Sequence, residues 1–113
     1  MSREELLREL ISYRLPIEKT LENLSYYGWD CEFPLVTLTK SDVVSIMQRY
    51  LSGGITEQQL TDWADLVECR EDIEYPTQDE NLIASIIFRL ANPNLNEEIT
   101  SPLVESILVK ELK

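Results

Sequence analysis

Residues 77–91, TQDENLIASIIFRLA, place apolar side chains over most of the circumference of a helix. The only polar strip consists of Asn81, Ser85 and Arg89. A helix that is apolar on most sides must be buried on most sides, so this stretch predicts the central helix of the fold. Thr77 and Glu80 have the spacing of a capping box, which predicts where the helix begins. The turn-forming residues 92–94, NPN, predict where it ends.

The segment before it carries the best-defined helix start in the chain. Thr56 and Gln59 form a capping box, and the apolar Ile55 and Leu60 occupy the two positions of a hydrophobic staple. Apolar residues then recur at spacings of three and four, which is the period of one helical face. We therefore predict a helix over residues 57–69. Its buried stripe consists of Leu60, Trp63, Ala64 and Val67, whereas Asp62, Asp65 and Cys69 point the other way and Leu66 falls off the stripe.

Four more segments have the start and stop signals of short helices. Ser, Thr or Pro stands at each start, where it satisfies or removes an unpaired N–H group of the first turn, and glycine follows two of the ends. The first predicted segment is residues 3–14, after a Ser2–Glu5 box and before Leu15–Pro16. The second is a shorter helix with Pro16 in its first turn, which runs through Ile17, Leu21 and Leu24 and is closed by Gly28 as a left-handed cap. The others are a helix from Thr39–Asp42 to Gly53–Gly54 and a helix from Ser101–Pro102 to the end.

Residues 29–38, WDCEFPLVTL, break the helical pattern. Pro34 and the β-branched residues disfavour a helix, but no partner strand is evident, so we predict an extended loop. A chain of 113 residues is long enough to bury about two thirds of its unfolded surface in one core. The sequence therefore predicts an all-α fold, a compact single-domain bundle of five to six short helices over residues 1–113, with one extended loop near residues 29–38.

The charge balance is strongly acidic. Twenty-one Asp and Glu against 10 Lys and Arg give a net charge of −11. Such a surface repels phosphate backbones, which argues against direct nucleic-acid binding. No apolar run is long enough to span a membrane, and the acidic N-terminus is unlike a signal peptide. We therefore expect a cytoplasmic protein with no membrane partner.

Motifs for catalysis or cofactor binding are missing from the sequence. There is no histidine, which removes the commonest general base and zinc ligand, and no glycine-rich phosphate loop or nucleophile elbow occurs. The spacing of the acids does not fit a calcium-binding EF-hand loop. Cys31 and Cys69 lie 38 positions apart without a CxxC motif, and we expect small buried hydrophobes rather than a disulfide or a metal pair. We predict that the protein is not an enzyme and needs no metal or cofactor.

The acids are concentrated in residues 57–80. This acidic window holds nine Asp and Glu and a single opposing charge, Arg70, so it carries −8 of the net −11. One interpretation is a solvated face that aids solubility, with Ile73 and Tyr75 packed into the core. The other is a docking surface for a basic partner, in which charge steers the encounter and Tyr75 supplies a hot spot. The candidate partner-binding residues are Asp62, Asp65, Glu68, Glu71, Asp72, Glu74 and Tyr75.

A second aromatic group, YYGW at residues 26–29, follows the second predicted helix. Tyr and Trp are enriched both where a helix end packs on a core and at binding hot spots. We expect core packing for at least two of the three aromatic residues and exposure of one tyrosine.

The run from Val43 to Asn92 resembles small helical bacterial proteins that serve as immunity proteins of polymorphic toxin and contact-dependent growth inhibition systems. The resemblance lies in ITEQQLTDWADLVECREDIEY and IIFRLANPN, with signature pieces Trp63–Ala64, Glu68, Arg70–Ile73 and Leu90–Pro93. It implies an antidote that binds a cognate toxin domain in a 1:1 complex, and such toxins are commonly nucleases with a basic cleft. The charge balance points to the same kind of partner independently.

An alternative from a different class is an acidic helical adaptor or regulatory domain unrelated to toxins. Such a domain would bind another basic protein, or would self-associate through Leu66 and the edges of its helices. Gene neighbourhood separates the two hypotheses, because an antidote is encoded directly after its toxin.

Overall fold

Six α-helices form the framework of the residues that the structure describes. The structure is a computed structural model that describes residues 2–14, 17–25, 27, 33–95 and 97–112. Helical residues, the 3₁₀ turn before the fifth helix included, make up 67% of the described residues, and the two strands are two residues long each, so the predicted all-α fold is confirmed. The elements are α1 Arg3–Ser12, α2 Ile17–Leu24, β1 Val36–Thr37, α3 Lys40–Leu51, α4 Glu57–Cys69, β2 Ile73–Glu74, α5 Glu80–Ala91 and α6 Ser101–Lys110.

The capping boxes of α3 and α4 form as predicted. In front of α3, the Thr39 hydroxyl accepts a hydrogen bond from the Asp42 N–H, and the Asp42 carboxylate accepts one from the Thr39 N–H. Thr56 and Gln59 make the same reciprocal pair in front of α4, at 3.1 and 2.8 Å. Each box satisfies two N–H groups that no helical carbonyl can reach. The helix that follows Thr56 spans the predicted residues 57–69.

The ends of α1 and α3 depend on single residues in left-handed conformations. α1 stops two residues earlier than predicted, because Tyr13 has a φ of 52° and a right-handed helix cannot continue through it. After α3, the chain turns at Gly53, whose φ of 84° is accessible to glycine at little cost. The predicted end signals at residues 15–16 and Gly28 lie outside the described residues.

The predicted start of α5 at Thr77 is wrong. Residues Thr77–Asp79 form a 3₁₀ turn, and α5 begins at Glu80 without a side-chain cap. The Pro76 carbonyl accepts the Asp79 N–H at 3.0 Å. An N-cap residue has a non-helical backbone, whereas Thr77 lies inside this turn, so its hydroxyl does not cap the helix and the predicted capping box does not form.

Buried apolar side chains from all six helices form one core. Trp63 is fully buried, and its indole Nε1–H donates to the Leu10 carbonyl at 3.0 Å, which ties α4 to α1. α5 packs chiefly against α4 and is less enclosed than its sequence pattern predicts, since Phe88 stays 44% exposed. Its buried side chains are Ile83, Ile86, Ile87 and Leu90.

A short parallel sheet joins part of the predicted loop to the segment after α4. β1 pairs with β2 in the register Val36 with Ile73 and Thr37 with Glu74. The sequence analysis found no partner strand for this loop, because β2 is two residues long and lies in a stretch dominated by acids. Residues 29–32 of the predicted loop lie outside the described residues. The sheet nevertheless brings the end of that loop beside the acidic window.

Thr56→Ala is expected to lower the free energy of unfolding by about 0.5 to 2 kcal/mol, because the Gln59 N–H loses its partner. Thr77→Ala is the matched control, since this threonine makes no capping bond and its loss is expected to change stability by less than about 0.5 kcal/mol. Urea unfolding of both variants and the parent measures the two effects. Equal losses in the two variants would contradict this account of the helix starts.

Candidate partner-binding surface

The outward face of α4 holds the first of the predicted acids. Its inward face is fixed by the buried side chains of Leu60, Trp63, Ala64 and Val67. Asp62, Asp65 and Glu68 follow one another at spacings of three, so they share the opposite, exposed face and span about 9 Å along the helix axis. Glu71 and Glu74 continue the series beyond the helix and are also exposed. These five residues are called the acidic surface below.

The carboxylates of the acidic surface carry uncompensated charge. Within the part of the chain that the structure describes, no salt bridge involves any of the five. Asp62 accepts a hydrogen bond from Gln58 Nε2 at 2.9 Å, and Glu74 accepts one from Thr37 Oγ1 at 3.2 Å. Both donors are neutral, so these bonds orient the carboxylates without cancelling their charge.

Each of the six arginines has an intramolecular partner away from the acidic surface. Arg49 donates from Nη1 to the carbonyls of Ser12 and Tyr13 at the C-terminal end of α1, where a cation complements the helix dipole. The other five form ion pairs: Arg3 and Arg70 with Asp72, Arg8 with Glu4, Arg14 with Glu9, and Arg89 with Glu111. Arg3, Arg49 and Arg89 connect distant segments of the chain, and the other three arginines pair locally. None of the six neutralises the acidic surface.

Asp72 is buried, contrary to its predicted place on the acidic face. The residue is 0% exposed, and Arg70 is 5% exposed. Arg70 donates from Nε to Oδ1 at 2.9 Å and from Nη2 to Oδ2 at 2.8 Å, while Arg3 donates from Nε to Oδ2 at 3.0 Å. A carboxylate leaves water only when donors and positive charge replace it, and these two guanidinium groups supply both. The Asp72 carboxylate is therefore structural and is not presented to a partner.

The pKa of the Asp72 carboxyl results from opposing effects. Burial raises this pKa. The hydrogen bonds and positive charges of Arg70, and then of Arg3, together lower it by more than burial raises it, so the pKa lies below its ordinary value. Arg70 was the single opposing charge of the acidic window, and its charge is neutralised here. The other eight acids of the window are at least partly exposed and have no exposed cation among them.

Tyr75 is half-buried at the end of the acidic surface. Its ring packs against the core, and Ile73 two residues earlier belongs to the core itself. Burial raises the pKa of Tyr75 to about 12, and the negative charge of Glu68 adds to the rise. The phenol is therefore neutral at physiological pH and keeps its hydrogen for donation. Tyr75 thus combines core packing with a partly accessible position near an acidic side chain.

Cys69 is exposed, so the expectation that it would be a buried hydrophobe is wrong. It does point away from the apolar stripe of α4, as predicted. Partial burial raises the pKa of its thiol, and the charges of Asp65 and Glu68 raise it further. A thiol of this kind is largely protonated at neutral pH and is a weak nucleophile. Cys31 lies outside the described residues.

The aromatic group at residues 26–29 is described only at Tyr27. This side chain is 38% exposed, in agreement with the expected exposure of one tyrosine. The guanidinium of Arg3 lies 5.8 Å from the centre of the Tyr27 ring, within the range of a cation–π contact. Tyr26, Gly28 and Trp29 lie outside the described residues, so their expected core packing stays a prediction.

A polar cleft of about 720 Å³ lies where the start of α4 meets the connection from α5 to α6. Its walls include two carboxylates and three amide side chains, with an apolar side from Leu95. No sequence motif signals the cleft, because its residues come from two parts of the chain that are about 30 positions apart. The lining residues include Glu57, Gln58, Asn92, Asn94, Leu95 and Glu98.

Among the residues that the structure describes, no group of three or more Cys, Asp or Glu side chains is placed to hold a metal ion. No helix among these residues has both the length and the apolar character needed to cross a membrane.

Comparison with known proteins provides no relative for this chain. No protein-family model, no curated protein sequence and no solved structure matches it. The resemblance of residues 43–92 to immunity proteins therefore stays a prediction, and the acidic surface is the feature that bears most directly on function.

Asp72→Asn is expected to lower the free energy of unfolding at neutral pH by about 3 to 5 kcal/mol, because it leaves the buried Arg70 without a counter-charge. The ionised carboxylate stabilises the fold above its unfolded pKa of about 3.9, and this contribution is lost as the pH falls through the lower pKa of the folded state. The parent should therefore lose stability in acid more steeply than the variant. Urea unfolding at pH 7 and at about pH 3 measures both slopes.

Glu71→Gln serves as the matched control for this prediction, since Glu71 is the exposed neighbour of Asp72. Its substitution is expected to change stability by less than about 0.5 kcal/mol. If Asp72→Asn and Glu71→Gln have the same stability at pH 7, Asp72 does not act through a buried ion pair.

Proposed function

We propose that this protein is an immunity protein that neutralises a basic toxin domain, such as a nuclease, by forming a 1:1 complex through its acidic surface. The observation that carries the proposal is the separation of charge. Each arginine is engaged within the fold, whereas five exposed carboxylates stand together without a salt bridge among the described residues. A basic protein is the partner whose charge complements such a surface.

The energetics of the acidic surface favour binding over solubility alone. Like charges at spacings of three on a helix repel one another and cost stability, so a purely solvating face gains from interspersed basic residues. The acidic window contains no exposed basic residue. Negative charge concentrated on one face instead attracts a basic partner over a distance of about 10 Å at ordinary salt, which raises the association rate.

The mode of inhibition follows from the chemistry of the acids. The cleft of a nuclease binds phosphate groups with Lys and Arg side chains. Carboxylates can pair with the same cations and occupy the path of the nucleic acid, so binding and inhibition are one event. The protein would act in the cytoplasm, where such a toxin meets its substrate.

The adaptor hypothesis makes use of the same surface with a different basic partner. The self-associating form of this hypothesis is weakened, because Leu66 is half-buried and packs against the core. Protection of cells distinguishes an antidote from an adaptor. The gene immediately upstream should encode a toxin whose expression kills cells unless this protein is also made. Size-exclusion chromatography with light scattering should show a 1:1 complex of the two products.

Joint reversal of Asp62 and Asp65 to Lys is expected to weaken binding to that toxin domain and to reduce protection. Both side chains are exposed, so the fold should be retained. The loss should appear mainly in the association rate, and raising the salt concentration should slow the association of the parent more than that of the variant. Stopped-flow or surface plasmon resonance measurements at low and physiological salt determine these rates.

Joint reversal of Glu22 on α2 and Glu105 on α6 to Lys provides the control, since it changes the net charge equally at exposed positions on other helices. Protection should remain complete in this variant. Equal effects of the two double variants would show that total charge matters rather than the acidic surface. Full binding by the first double variant would reduce this surface to a solvated face.

Tyr75→Ala is expected to speed dissociation of the toxin by about 30-fold or more, the effect of removing a hot-spot aromatic side chain. Tyr75→Phe separates the ring from the hydroxyl: it preserves the packing against the core and should retain most of the affinity if the ring is the anchor. Dissociation rates are measured after thermal unfolding has shown that each variant is folded at the assay temperature. An unchanged rate in folded Tyr75→Ala would exclude Tyr75 from the interface.

A further inference from the structure

We infer that Tyr27, Phe33 and Leu35 form an apolar patch that anchors the basic partner beside the acidic surface. The inference rests on the proposed function and deepens it, since it assigns a further apolar contact of the interface, in addition to Tyr75, to residues outside the acidic window. Phe33 is 69% exposed, and Tyr27 and Leu35 are 38% exposed each. An exposed aromatic group next to a band of charge is the usual composition of a binding hot spot with its polar rim.

The sheet places this apolar patch next to the acids. The Leu35 N–H donates to the Asp72 carbonyl at 2.9 Å, between the two acidic residues Glu71 and Glu74. One residue after Val36, the hydroxyl of Thr37 donates to the Glu74 carboxylate although the two positions are 37 apart in the sequence. Leu35 is therefore about one strand spacing, roughly 5 Å, from the acidic segment.

The ion pairs of Asp72 hold the other side of the apolar patch. Arg3 pairs with the Asp72 carboxylate at 2.9 Å and stacks over the Tyr27 ring. Tyr27 is thus linked to Asp72 through Arg3, and Leu35 is linked to it by a backbone hydrogen bond. Phe33 precedes Leu35 by two residues, so its Cα lies within about 7 Å of that of Leu35. Tyr27 and Leu35 are both held to the fold by these contacts, which reduces the entropy that they lose on binding.

Charge decides what occupies the apolar patch. Two copies of this chain meeting there would bring the Glu71 and Glu74 side chains of both copies together, and the net charge of −11 would oppose their approach. A protein with an apolar pocket bordered by Lys and Arg would meet no such repulsion. The occupant is therefore the basic partner, with its pocket over Phe33 and its cations toward Glu71 and Glu74.

Phe33→Ser tests the patch, and Phe88→Ser is its matched control. Phe88 on α5 is also exposed, at 44%. Its carbonyl accepts a hydrogen bond from Asn92, which lines the cleft together with Glu57 at the start of α4, so Phe88 lies away from the segment that follows the end of α4. The affinity of each full-length variant for the product of the upstream gene is measured by surface plasmon resonance. Phe33→Ser should weaken binding by about 30-fold or more, mainly through faster dissociation, and Phe88→Ser by less than about threefold.

The outcomes separate this inference from the proposed function. Absence of any binding by the parent overturns both. Binding that Phe33→Ser leaves within about threefold of the parent overturns the patch alone, and a loss confined to Phe88→Ser moves the interface to the cleft. Sedimentation equilibrium of the free parent should show a monomer. A dimer that Phe33→Ser dissociates would identify a second copy as the occupant and overturn the inference.

Discussion

Burial of the Asp72 carboxylate is the constraint on which the arrangement of the surface depends. Its two ion pairs reach Arg3 at the start of α1 and Arg70 directly after α4, and its carbonyl accepts the Leu35 N–H beside β1. One residue therefore joins three segments that are far apart in the sequence. Breaking any of these bonds would leave a buried polar or charged group without a partner, so separating the segments costs much free energy. The bonds therefore hold the chain after α4 in one conformation.

This use of arginine explains why the surface is so one-sided. A protein with few cations can distribute them among its acids or commit them to structural bonds. Here Arg70, the only basic residue of the acidic window, is engaged in the interior, and Arg49 is engaged at the end of α1. The exposed part of the window is left more negative than its composition suggests. The same ion pair that stabilises the connection after α4 thus also concentrates negative charge on its outer face.

The sequence patterns correctly predicted most features of the fold that depend only on residues close together in the chain. The capping box at Thr56 and the stripe of α4 depend on residues within one or two turns, and both were predicted correctly. Thr77 has the same local pattern, but the turn after Pro76 places it inside a 3₁₀ helix, where it does not act as an N-cap. The pairing of β1 with β2 and the burial of Asp72 depend on contacts between distant segments, which no local spacing signals. Five of the six predicted acids are nevertheless exposed, because helical periodicity and turn composition determine their direction.

Acidic and apolar groups on one face have opposite effects on the free protein and act together in a complex. An exposed phenylalanine such as Phe33 favours self-association, whereas the neighbouring Glu71 and Glu74 oppose it by repulsion between copies. The repulsion between the acidic side chains therefore opposes aggregation while the Phe33 ring stays exposed. In the proposed complex, long-range attraction would bring a basic protein to this face, and short-range burial of the ring would then slow its departure. Neither solubility nor core packing requires the two features to be adjacent, whereas the proposed binding of a basic protein would use both.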